Sequence, residues 1–199
     1  MGGPCMCEGK GIKSGTDNFE LCHFMMDGVD FHSAEQAYQF LKMKRKSDRT
    51  KIAARAPKTN ESGWDYGMVV WNMGQRGEMV KNFEAIKVDV MYRANKEKLE
   101  QNPAMAAYLV ASSGLITHRG SGKFWDEWNP VLLMRIREEL SPSPDESLLA
   151  SLRARMDEYR LSQGGPAEAP EPECKNATEG EAQEKEGAED AAAEPDGEM

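Results

Sequence analysis

Hydrophobic and polar positions alternate along this chain in patterns that change abruptly. Phe19 to Met26 is apolar with few breakers, Asp27-Gly28 follows, and Val29-Asp30-Phe31 resumes the apolar pattern. Asp-Gly between apolar runs predicts a hairpin. A helix is predicted next: Ser33 is placed as its N-cap, Gln36 stands at the capping-box position, and Ala37, Phe40 and Leu41 follow at helical spacing. A short helix is expected around residues 50–56, ending before Pro57. Residues 57–77 mix Gly63, Gly67, Gly74 and Gly77 with Trp64, Tyr66, Met68, Val70 and Trp71. A solvated linker does not carry so many large apolar groups, so this segment is expected to pack on the body.

Residues 82–101 give the longest helical stripe, through Phe83, Ile86, Val90, Ala94 and Leu99. Asn102-Pro103 starts another helix, to about Ser112, and a short strand is expected over residues 115–117. Asn129-Pro130 repeats the Asn-Pro start, ahead of Val131, Leu132, Leu133, Ile136 and Leu140. After the break at residues 141–144, Ser143, Pro144 and Glu146 read as a capping box. Leu148, Leu149, Leu152, Met156 and Tyr159 then share one helix side. The sum is a mainly α fold, compact, with a small N-terminal β element. The segmentation is a flexible N-terminus over 1–14, a folded domain over 15–140, an accessory amphipathic helix over 141–162, and a tail over 163–199.

Composition sharpens that division. The 199 residues carry a net charge of −9. Residues 163–199 hold 12 Asp/Glu and 2 Lys, so the body is close to neutral. A segment this acidic and this poor in large apolar groups cannot offset its ordering entropy, and a disordered tail is expected. The body lacks the overall basicity of a nucleic-acid binder. Its one basic run comprises Lys42, Lys44, Arg45, Lys46, Arg49, Lys51 and Arg55. No apolar stretch approaches the ~20 residues of a bilayer span, and the start lacks a secretory core. The four cysteines form no disulfide framework and lack paired C-x-x-C spacing. A reducing, cytoplasmic or nuclear location and no bound metal are expected. Gly2 with Cys5 and Cys7 faintly resembles an acylation signal, although position 6 is Met6.

Phosphate-binding loops, zinc-protease motifs and nucleophile elbows are missing. The candidate chemistry is polar residues set among aromatics. Glu35, in the first turn of its helix, follows Phe31 and His32; a carboxylate near aromatic surface can serve as acid or base, or simply complement the helix dipole. Lys42 lies on nearly the same face, where a desolvated amine could attack a sugar aldehyde carbon, unless it is one more solvated lysine of its run. Lys98 is similarly ambiguous. His118 and Arg119 precede Gly120 and Gly122, a turn suited to phosphate or to proton transfer, or to neither. Trp125, with Phe124 and Trp128, could stack a base or belong to the core.

Specific residues then resemble one family. Phe31-His-Ser-Ala-Glu35-Gln-Ala-Tyr-Gln39-Phe-Leu-Lys42 looks like the start of the NADAR (YbiA-like) domain. Asp17-Asn18-Phe19 resembles its Ser-Asn-Phe. Met91, with Lys98-Leu-Glu-Gln101-Asn102-Pro103, resembles its Met…Lys-Phe-x-Gln-Asn segment. Phe124-Trp125 and Leu133 to Leu140 resemble its final Trp motif and Leu-Met-x-Ile-Arg helix. The series spans about residues 15–140. The resemblance implies a helical fold and N-glycosidase chemistry, cleaving a ribose C1–N bond without a cofactor. It implies an ADP-ribose-like or ribosylamine phosphate ligand, carried in some members on modified nucleic acid. By position it makes Glu35 the acid/base and Lys42 or Lys98 the imine-forming lysine. Asn18, His118, Arg119 and Trp125 become the substrate contacts.

The departures are Thr117 and Gly122 where members carry Glu and Asp, Phe83 for a tryptophan, and Asp126 for a glycine. They define the alternative: a degenerate module that binds ADP-ribose or NAD, or an interaction protein acting through its terminal helix and acidic tail.

Overall fold

The structure, a computed structural model, describes residues 2–169. The N-terminal hairpin pattern is realised as β3 (Phe24–Met26) and β4 (Val29–Phe31), paired antiparallel. Asp27 and Gly28, with φ of 51° and 78°, supply the two left-handed residues of a two-residue turn. Helix α1 (Ala34–Lys42) follows, and Ser33 Oγ accepts the Gln36 N–H at 3.1 Å, the expected cap. Every α1 residue except Lys42 is buried, so α1 is the central rod of the molecule. Helices α2 (Lys46–Ala53), α3 (Gly63–Gly74) and α4 (Phe83–Gln101) pack around it.

The glycine- and tryptophan-rich segment 57–77 does pack on the body. It forms α3, capped by Ser62, which accepts from the Asp65 N–H. The short helix expected over 50–56 lies four residues earlier, at 46–53, with Ile52 as its buried anchor. Beyond α4 come α5 (Pro103–Val110), β5 (Ile116–Thr117), α6 (Lys123–Leu140) and α7 (Glu146–Ser162).

Four expectations are corrected. The start is not a flexible segment: β1 (Met6–Cys7) pairs with β2 (Lys10–Gly11) and, across the chain, with β5, Met6 facing Thr117 and Cys7 facing Ile116. Cys5 is fully buried, so neither Cys5 nor Cys7 is presented for acylation. Asn129-Pro130 does not start a helix; α6 begins at Lys123, and Pro130 sits inside it, where its missing N–H leaves the Asp126 carbonyl without its helical donor. Helix α7 is capped by Asp145, whose Oδ1 accepts the Leu148 N–H at 2.9 Å, rather than by Ser143.

Helix α7 seals the same core as the other helices. Leu149, Leu152 and Met156 are buried, and Tyr159 packs on Trp128 with ring centroids 4.9 Å apart. Arg160 closes the edge. Its Nη1 reaches both Asp89 carboxylate oxygens at 3.1 and 3.2 Å, and Nε donates to the Pro166 carbonyl at 3.0 Å. The acidic tail therefore leaves from an anchored point, and from residue 170 it lies outside the described residues. Among the described residues no helix is long and apolar enough to cross a membrane.

Candidate functional site

The first turn of α1 places Glu35 against the 16–20 loop. The Glu35 peptide N–H donates to the Asn18 carbonyl at 2.9 Å. Its side chain is 1% exposed and Oε1 accepts Gln39 Nε2, one helical turn on, at 2.7 Å. A buried charge needs such donors to offset the water it has lost. Asn18 is fixed by two further asparagines: Asn95 Nδ2 donates to Asn18 Oδ1 at 2.9 Å, and Asn18 Nδ2 donates to Asn129 Oδ1 at 3.2 Å. One residue each from the loop, α4 and α6 thus locks the backbone that receives Glu35.

Both lysines are desolvated. Lys42, half-buried at the end of α1, has its pKa lowered by burial, with the Glu35 carboxylate opposing the shift. Lys98 is completely buried in α4, and Nζ donates to the Asp17 carbonyl at 3.2 Å. Burial lowers its pKa too, against Cys22, Glu20 and Asp17. A lysine held this way is more nucleophilic than a solvated one.

Next to the loop opens a cleft of about 200 Å³ lined by Gly2, Phe19, Trp64, Met68, Trp71, Gly120 and Ser121. Trp64, Met68 and Trp71 occupy positions i, i+4 and i+7 of α3 and so share one helix face. Trp64 is 60% exposed, and its ring stands 5.6 Å from that of Phe19. Gly120 and Ser121 belong to the turn between β5 and α6, in which Gly120 and Gly122 take φ of 102° and 82°, values favouring glycine.

None of the seven residues singled out in the sequence is a wall of this cleft. Asn18 reaches it through the next residue, Phe19, and Arg119, which is exposed, adjoins the Gly120-Ser121 rim. Glu35, Asn18 and Lys98 are brought together around the 16–20 loop, while Lys42 stands at the far end of α1, within electrostatic reach of Glu35 and Glu84. His118 is buried behind the rim, with Nε2 2.7 Å from Ser121 Oγ and burial lowering its pKa. Trp125 is in the core, edge-to-face with Tyr38 at 5.5 Å and Phe124 at 5.1 Å. The aromatic walls are Trp64 and Trp71, whose i, i+7 helical spacing was the available signal.

No family model and no curated protein matches the sequence. The NMR structure of the E. coli protein YbiA does match the structure, with a TM-score of 0.53 and 25% identity over 63% of this chain and 77% of that one. The chain has a divergent NADAR-like fold. Glu35 stands on the central helix α1 of this fold, and α7 packs on α4 and α6.

Proposed function

We propose that this chain is an N-glycosidase that hydrolyses a ribose C1–N bond in an ADP-ribosylated or ribosylamino substrate. The observation that carries the reading is the pairing of a buried, hydrogen-bonded carboxylate, Glu35, with a desolvated lysine, Lys42, on one helix. Departure of the nitrogen base leaves positive charge on the ribose ring, which a preorganised carboxylate stabilises. The leaving base needs a proton, and Glu35 is the acid/base placed to move it. Lys42, with Lys98 as the second candidate, supplies an amine to trap C1. In this reading an aromatic base would stack on the cleft's aromatic walls, Trp64 and Trp71, and Arg119 beside the glycine turn would meet phosphate. The protein acts in the cytoplasm or nucleus in this reading, on a metabolite or on modified nucleic acid.

One observation favours a second reading, a binding module without turnover: Glu35 is 1% exposed and is not a cleft wall. A single comparison separates them. Base release is measured from ADP-ribosylated guanine DNA and from a ribosylaminopyrimidine phosphate, with wild type and Glu35→Gln. Release abolished by the substitution supports the glycosidase. Absence of release from both substrates, with ADP-ribose binding retained by both proteins, establishes the binding module instead.

A further inference from the structure

The glycosidase reading needs substrate to reach two groups that the folded chain encloses: Glu35 is 1% exposed and Lys98 is completely buried. Both are tied to the 16–20 loop, Glu35 through its N–H to the Asn18 carbonyl and Lys98 through Nζ to the Asp17 carbonyl. Residues 2–4 are seated on the same loop. The Gly3 N–H donates to Asp17 Oδ1 at 2.8 Å, and Gly2 lies against the Phe19 ring. From the β5–α6 turn, Ser121 Oγ donates to the Gly2 carbonyl at 3.1 Å. That hydroxyl accepts in turn from His118 Nε2, 2.7 Å away, with the Asp126 carboxylate 3.8 Å from the same nitrogen. A single peptide group, the Gly2 carbonyl and the Gly3 N–H, thus ties the turn to the loop, and Gly2 is a wall of the cleft between them.

The attachment is of a releasable kind. Residues 2–4 contribute no buried side chain: two are glycines and Pro4 is exposed. They are held by main-chain hydrogen bonds and the Phe19 contact, and segments with few buried apolar groups open locally. Firm anchoring begins one residue later. Cys5 is fully buried, its N–H donates to Thr16 Oγ1 at 3.0 Å, its carbonyl accepts the Ile12 N–H at 2.9 Å, and β1 follows.

We propose that residues 2–4 are an autoinhibitory strap hinged at Pro4–Cys5, which bars substrate when seated and admits it to Glu35 and Lys98 when lifted. The proposal rests on the glycosidase reading for what the opened site does. A ligand that needs the strap lifted binds with an affinity reduced by the fraction of molecules already open. Glycine at residue 2 sets that fraction. A Cβ there would lie 2.5 Å from the Phe19 ring, which is 2% exposed and is backed by Gly67, where a Cβ would also overlap it. The ring has nowhere to go, so Gly2→Ala should hold the strap off while leaving α1 and α4 untouched.

The test uses the full chain, wild type and Gly2→Ala, with amide hydrogen exchange followed by NMR and ADP-ribose affinity by titration calorimetry. In Gly2→Ala the Gly3 amide should exchange at least ~10-fold faster, with the Cys5 amide within ~2-fold of wild type. ADP-ribose binding should tighten by the same factor as the exchange accelerates. In wild type, saturating ADP-ribose should speed Gly3 exchange, the reverse of the protection a ligand gives to a merely structural segment; this arm stands even if the variant does not fold. Gly3 exchange unchanged by both the substitution and the ligand, or faster exchange with no gain in ADP-ribose affinity, overturns the proposal. Base release from the two substrates named above is followed in parallel. Tighter binding by Gly2→Ala with no release from either protein retains the strap and removes the glycosidase reading. Equal release by both proteins, with Gly3 protected in both, does the reverse.

Discussion

Gly74→Ala is the substitution on which local and tertiary reasoning give opposite signs. Gly74 is the last residue of α3 and has an ordinary helical backbone. Helix propensity alone makes alanine there more stable by up to about 1 kcal/mol. The surroundings say otherwise. A Cβ at residue 74 would overlap Oε1 and Cδ of Gln39 and stand 3.0 Å from Cγ, closer than ordinary contact. Gln39 is only 2% exposed, so its amide has no open space to move into. To clear the methyl, the amide must shift by more than about 1 Å, which breaks its 2.7 Å bond to Glu35.

Overpacking costs about 1–3 kcal/mol. Loss of a hydrogen bond to a buried carboxylate costs about 1.5–3 kcal/mol more. After subtracting the helix gain, Gly74→Ala should lower stability by roughly 1.5–5 kcal/mol, measured by urea denaturation followed by circular dichroism. Gln39→Ala supplies the control, because it removes the obstructing amide. In that background Gly74→Ala should be neutral within ~0.5 kcal/mol or stabilising, giving an interaction energy of about 2 kcal/mol or more. A single Gly74→Ala variant as stable as wild type would refute the placement of Gln39 and, with it, the account of how Glu35 is held.

Three further outcomes follow from the same geometry. Arg160→Ala strands the buried Asp89 carboxylate, whose pKa burial already raises against the pull of Arg160, and should cost about 3–5 kcal/mol in the same assay; a loss under 1 kcal/mol would mean water reaches the pair. The folded pKa of His118 lies below 6.5, so its contribution is complete above pH 6.5 and is lost as pH falls from 6.5 towards the folded value, by up to about 1.4 kcal/mol per unit. The stability profile of His118→Gln between pH 6.5 and 5 should be flatter than that of wild type. Trp64→Ala should leave stability within about 0.5 kcal/mol, because the ring is 60% exposed, yet weaken ADP-ribose binding ~10-fold by titration calorimetry; unchanged affinity would remove Trp64 from the ligand site.

What the sequence discloses about this molecule divides along local and long-range lines. The Ser33 cap, the Asp27-Gly28 turn and the stripe of α4 are set by neighbours within a few residues, and each appears where the pattern puts it. The start of α6 departs from the local pattern because Asn-Pro is a local helix signal, whereas Trp125 and Trp128 draw the helix start seven residues earlier by packing on Tyr38 and Tyr159. The N-terminal strand departs from it for a related reason. Met6 pairs with Thr117 across more than a hundred residues, and nothing in the composition of residues 1–14 reports that partner. The site follows the same division. Glu35 and its position on α1 are legible, but the cleft walls come from four separated segments and emerge only on folding.

Helix α3 shows why the site in particular escapes a local reading. Its glycines weaken it as an isolated helix, by roughly 0.5–1 kcal/mol for each interior one, and in sequence they read as loop signals. In the fold they are the face that lets two other segments come close. A Cβ at Gly63 would stand 2.8 Å from the Phe19 carbonyl, one at Gly67 would overlap the Phe19 ring, and one at Gly74 would overlap Gln39. Gly2 meets the same Phe19 ring from the N-terminal segment, where a Cβ would lie 2.5 Å from it. The absence of side chains at these positions thus brings α3 against the residue after Asn18 and against the residue holding Glu35, while Trp64 and Trp71 remain at the cleft. The helix propensity given up in α3 is recovered as close packing around the carboxylate, and the arrangement that most weakens the helix signal is the one that builds the site.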